Sequence, residues 1–273
     1  MKKGSIGIFD SGFGGLDIFR AIHTSLPEYS YIYLADSARA PYGPRTPEEV
    51  LAYTTEAVTF LFEKGAGVVI LACNTASSDA LRVLQQEFLP KHHPGRNILG
   101  VLVPGAEEAV QTSETGRIGV IATENTVASK SFVRELTKLK SDVVVFQQAC
   151  PTLVPLIEQG QHDTAEIKEE LKRYVAPLLA EYIDTLILGC THYGLIADTV
   201  RSVVGSKVKV ISEAEIMPEK LQQYLTTHPE YDFLLEKDSA TTFYTTDTTD
   251  RFETMGSIFF GEPIVAKHIS LEN

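Results

Sequence analysis

Two apolar runs in this sequence end in the same way, and that repetition limits what the chain can fold into. "VVILACNTAS" (68–77) and "TLILGCTHYG" (185–194) each carry a strand-like run, a small residue and a cysteine, then turn polar at once. Each has a matched partner upstream, "SIGIFDSGFGG" (5–15) and "RIGVIATENT" (117–126). Gly7 stands 66 residues before Cys73, and Gly119 stands 71 before Cys190. One α/β unit used twice accounts for both coincidences.

The rest of the chain fits such a unit. Short β-branched runs at 5–10, 30–35, 67–73, 98–103, 117–122, 142–148, 184–190 and 207–211 alternate with helix-length amphipathic segments. That alternation predicts an α/β fold with mostly parallel sheets. "TPEEVLAYTTEAVTFLFEKG" reads as a helix capped by Thr46, with Pro47 in its first turn and Gly65 at its end. Residues 164–182 read as another, capped by Thr164, with Pro177 expected to kink or interrupt it. The segment after about 215 is less regular, with a further helix at 248–260.

Composition narrows the class of function. With 273 residues and 44% hydrophobic content, the chain is long enough for about two domains. A formal net charge of -12 and the lack of any basic cluster argue against nucleic-acid or anionic-membrane partners. Asp10 breaks the first apolar stretch before a signal-peptide core forms, and no run approaches the roughly 20 apolar residues of a spanning helix. Three cysteines, widely separated and with no Cys-x-x-Cys pair, suit a reduced, cytoplasmic chain.

Two such units facing each other would bring the carboxyl ends of both sheets to one cleft, where open α/β sheets hold their ligands. Cys73 and Cys190 would then address one ligand from opposite sides. That arrangement suits inversion of a chiral carbon, in which one group removes a proton and another returns it on the far face. A free thiol, with a pKa of about 8.5, needs only modest help to serve as the base. Cys150 has no matching frame and reads as structural. In "FDSGFGGL", Asp10 and Ser11 leave the first strand, and Gly12, Gly14 and Gly15 form a turn whose N–H groups suit a carboxylate. The spacing meets neither the dinucleotide fingerprint nor the Walker loop. "APYGP" (40–44) fixes a tight loop offering backbone groups and the Tyr42 hydroxyl.

"DSGFGG", "PYG", "ACNTAS", "CPTLVPLIE", "GCTHY" and "FYTTDTTDRF", taken together and in this order, resemble the glutamate racemases of the cofactor-independent amino-acid racemase superfamily. The resemblance spans nearly the whole chain. It implies interconversion of L- and D-glutamate without pyridoxal phosphate or any other cofactor, supplying D-glutamate for peptidoglycan, by a cytoplasmic homodimer. It further implies two α/β domains related by a pseudo-two-fold axis: 1–98 with 213–273, and 99–212. Cys73 would act on D-glutamate with help from Asp10, and Cys190 on L-glutamate with help from His192 and Glu158. Substrate contacts would fall on Asp10, Ser11, Tyr42, Gly43, Asn74, Thr75, Thr191 and His192. Two departures stand out: Gly194 where the family commonly has proline, and "VISEAEIMP" (210–218), which lacks the usual aspartate. The residues alone leave open a racemase for aspartate or a related acid, a cysteine hydrolase with Cys190 as nucleophile and His192 as base, and a two-domain binding protein.

Overall fold

The computed structural model describes residues 3–271. Among these described residues, ten strands follow one another. They are β1 (Ile6–Asp10), β2 (Tyr31–Ala35), β3 (Val68–Leu71), β4 (Asn97–Gly100), β5 (Arg117–Ala122), β6 (Val144–Ala149), β7 (Thr185–Gly189), β8 (Lys209–Ile211), β9 (Thr241–Thr245) and β10 (Ala266–His268). They form a six-stranded sheet ordered β10-β9-β2-β1-β3-β4 and a four-stranded sheet ordered β6-β5-β7-β8. Every pairing within them is parallel. The order β2-β1-β3-β4 recurs as β6-β5-β7-β8, so the repeat seen in the sequence is a repeat of topology.

Register makes the match closer. Gly7 of β1 pairs with Val69, and Gly119 of β5 pairs with Leu186. Each cysteine lies four residues beyond the partner of its glycine. All eight strands expected from the sequence are present, with the ends of several trimmed and the largest differences at two of them. The run expected at 67–73 stops at Leu71, and that expected at 98–103 stops at Gly100 because a helix, Leu102–Thr112, starts at once. β9 and β10 were not anticipated.

The helix Pro47–Glu63 begins with a reciprocal capping box: Thr46 accepts from the Glu49 N–H, and the Glu49 carboxylate accepts from the Thr46 N–H. The helix Ala165–Ala180 runs through Pro177 without interruption. Pro177 lies on the exposed face, as does Arg173, whose carbonyl loses its intrahelical donor on the side open to solvent. Leu171, Tyr174, Val175 and Leu178 on the other face are buried and hold the helix in place. A single apolar cluster joins Leu16 and Ile18 of the first helix to Ile121, Leu188 and Tyr193 of the other sheet's unit. The two units therefore share core contacts where their strand ends meet.

Candidate active site

Asp10, Cys73, Thr123 and Cys190 all sit at or just past the carboxyl ends of strands, as parallel α/β sheets dispose their ligand groups. Cys73 is not on β3. It occupies the N-cap of the short helix Asn74–Asp79, where its sulfur accepts from the Ala76 N–H at 3.5 Å. Cys190 precedes the 3-10 turn Thr191–Ile196.

Both sulfurs open onto one narrow cavity. Ser11, Tyr42, Gly43, Asn74 and Thr75 line it from the first unit, and Glu158, Thr191 and His192 from the second. Asp10 is completely buried beneath it. The sequence-derived set is thus brought together, with differences in what each side chain offers. Tyr42 turns its hydroxyl away and donates it to Asp36 at 2.5 Å, so the expected exposed hydroxyl is absent. Ser11, rather than Asp10, touches Cys73: its Oγ lies 3.2 Å from the sulfur. Asp10 instead receives the Gly12 N–H at 2.9 Å and the Thr191 hydroxyl at 3.4 Å, which ties the first unit to the second.

The Cys190 side has a different relay. Its sulfur lies 3.9 Å from His192 Nδ1, and His192 Nε2 lies 2.9 Å from Glu158 Oε1. Burial pushes the Glu158 carboxyl up, but the hydrogen bond to His192 and its charge outweigh that and hold it below the usual range. Modest help was expected to bring the thiols into working range. The protein does the reverse. Burial, reinforced by the Asp10 charge, pushes Cys73 up to about 12, and burial drives Cys190 well above the ordinary thiol value. Asp10 is raised as well, by burial, against His192 and the N–H groups of Gly12 and Gly15.

Close approach of the units explains one glycine of the "GFGG" turn. A Cβ on Gly14 would stand 2.7 Å from the His192 backbone nitrogen and would also strike the Thr191 hydroxyl. Gly194, the departure noted above, also has a local cause: a Cβ there would collide with the buried carboxylate of Asp17, which pairs with Arg20 at 2.5 Å.

Apart from Asp10, Ser11 and Gly12, the residues of this constellation lie within 14–220, the stretch that matches the Asp/Glu/Hydantoin racemase family. The chain belongs to that family. Among its relatives, a glutamate racemase of Desulforudis audaxviator is 42% identical over 214 residues, covering 78% of this chain and 76% of the relative. The crystal structure of glutamate racemase isoform RacE1 from Bacillus anthracis superposes with a TM-score of 0.90 at 34% identity, covering 99% of each chain. That of Francisella tularensis glutamate racemase in complex with D-glutamate gives 0.88 at 27% identity, covering 100% of this chain and 99% of that one.

Within this racemase-family chain, one cavity residue and one residue behind the cavity escaped the sequence reading. Thr123 lines the cavity, and its hydroxyl lies 3.2 Å from that of Thr75, bridging the two units. The repeat held the signal: Thr123 follows Gly119 as Ser11 follows Gly7. Glu213, just after β8, is buried behind Asn74 and accepts from Asn74 Nδ2 at 2.7 Å. Burial pushes its carboxyl up to about 8, against the Asn74 hydrogen bond. A larger depression of about 490 Å³ adjoins the cavity, sharing Pro41, Gly43, Thr123 and Glu158 with it. Cys150 lies against that depression with its thiol buried, outside the two matched cysteine frames. No helix among the described residues is long and apolar enough to cross a membrane.

Proposed function

We propose that this chain interconverts L- and D-glutamate by proton exchange at the α-carbon, as a homodimer in the cytoplasm supplying D-glutamate for peptidoglycan. The observation that carries the reading is the pair of buried thiols, in equivalent frames, lining one cavity. A hydrolase or a binding protein has no task for the second. The two sheets support a division into domains 1–98 with 213–273 and 99–212, with the substrate held between them.

In this mechanism the Cys73 thiolate takes the α-proton of D-glutamate while the Cys190 thiol returns one on the opposite face. The proton count is unchanged: Cys73 ends as the thiol and Cys190 as the thiolate. With L-glutamate the roles reverse. Both thiols are pushed up by burial, so each needs a local proton acceptor before it can act as a base. Asp10, itself raised, suits Cys73. His192 suits Cys190, because an ionised Glu158 accepts the Nε2 proton and leaves the Nδ1 lone pair toward the sulfur. The substrate's own ammonium adds positive charge and favours thiolate formation.

General base action supplies only about 10²–10⁴-fold, too little to ionise an amino-acid α-carbon. The hydroxyls of Ser11, Thr75 and Thr123 offer donors to the α-carboxylate as negative charge develops, in a narrow cavity. The test is incubation with L-glutamate in deuterated water, following optical rotation and the α-proton signal together. A racemase loses both; retention of either refutes the proposal. Aspartate run alongside decides chain length. Cys73→Ser must abolish the loss of rotation, and undiminished racemisation would sink the two-thiol account.

A further inference from the structure

Glu213 is an unusual group to find behind a substrate cavity. It is 3% exposed, opens the helix Glu213–Thr227, and forms no ion pair among the described residues. One of its oxygens, Oε2, accepts from Asn74 Nδ2 at 2.7 Å, while Oε1 is buried without a partner. Asn74 follows Cys73 directly, lines the cavity, and is 2% exposed. Its own Oδ1 is likewise buried with no hydrogen-bond partner among the described residues. Buried polar atoms are almost always bonded, so an orphan on a cavity wall points to a ligand.

An amide can present either its oxygen or its nitrogen to a site, and rotation by half a turn exchanges them. In the structure Oε2 of Glu213 accepts from Nδ2, so the amide is held with its nitrogen toward Glu213, and Oδ1 remains for the ligand. We propose that Glu213 is a positioning residue that holds Asn74 as a hydrogen-bond acceptor for the α-ammonium of the substrate. The ammonium is the only strong donor that zwitterionic glutamate offers; both of its carboxylates are acceptors. This rests on the glutamate reading above and deepens it.

The test compares Glu213→Gln, which keeps an acceptor oxygen facing Nδ2, with Glu213→Met, which keeps the volume and removes the acceptor. Wild-type exchange of the glutamate α-proton is measured first, so failure of the glutamate reading is seen separately. Thermal melting of each variant reports folding. The expected result is a KM raised about tenfold or more by Glu213→Met for both enantiomers, with kcat within about threefold, and near-wild-type values for Glu213→Gln. In an Asn74→Ala background, Glu213→Met should cost nothing further. Glutarate, which lacks the ammonium, should inhibit wild type and Glu213→Met equally. Should Glu213→Met not fold, Glu213→Ser takes its place in the same cycle. A wild-type KM in the Met variant, equal impairment of Gln and Met, additivity with Asn74→Ala, or weakened glutarate inhibition would each overturn the proposal.

Discussion

His192 Nε2 lies 2.9 Å from Glu158 Oε1, with the other ring nitrogen facing the Cys190 sulfur. In the proposed mechanism the carboxylate fixes the tautomer and stabilises the imidazolium formed when the ring takes the thiol proton. Glu158→Gln keeps the shape and removes the charge. We expect kcat to fall about 10²-fold or more, with little change in melting temperature. Initial rates from both enantiomers, followed by circular dichroism, check this; an unchanged kcat would leave His192 working alone.

The buried thiols should be poor nucleophiles in the free protein. Cys73 is held near 12 and Cys190 is also raised, both chiefly by burial. Without glutamate, alkylation of these two cysteines by iodoacetamide should be slow at pH 7.5 and should still be rising above pH 9, beyond the ordinary thiol range near 8.5. Peptide mass mapping over a pH series reads each site. Reaction at pH 7.5 at the rate of a free thiol would contradict the assignment.

Gly14→Ala should damage catalysis more than stability. The added methyl would press on the His192 backbone and the Thr191 hydroxyl, forcing the units apart by a fraction of an ångström. Misplacement on that scale costs about 10²-fold in rate. The expected outcome is a fall of that order in kcat/KM in a protein that still melts cooperatively; full activity would show that the contact yields freely.

Asp184 anchors the start of β7 to the turn before β5. It accepts from the Ser113 hydroxyl at 2.6 Å and from the Thr115 N–H and hydroxyl at 2.6 and 2.8 Å. Burial pushes its carboxyl up, but these donors outweigh that and hold it below the usual range. A depressed carboxyl contributes stability that is whole above its unfolded pKa of about 4 and is lost as pH falls through the folded value. Asp184→Asn should therefore cost about 1–2 kcal/mol at pH 7, the site being partly exposed, and the gap should close toward pH 2. Urea unfolding at several pH values measures it; a gap independent of pH would point to packing instead.

Much of the fold was legible because β1 to β8 are short, apolar and separated by clear helices. β9 carries three threonines in five residues and pairs with β2 from far along the chain, so only tertiary context makes it a strand. The cysteines and most cavity residues were legible through the repeat, and Thr123 was within reach of the same reasoning. Glu213 was not: an acid opening a helix ordinarily faces water and complements the helix dipole. The upward shift of the thiols was hidden for a related reason, since a sequence names the group but not the dielectric around it.

The unequal surroundings of the two thiols carry a thermodynamic consequence. Mirror-image substrates have the same free energy in water, so their interconversion has an equilibrium constant of one. Whatever Ser11 contributes beside Cys73 and His192 beside Cys190, kcat/KM must be the same in both directions. The difference between the halves can appear only as compensating differences in how tightly each enantiomer is held and how fast it turns over once bound. A repeated unit is therefore free to diverge from its twin without ever biasing the handedness of the product pool.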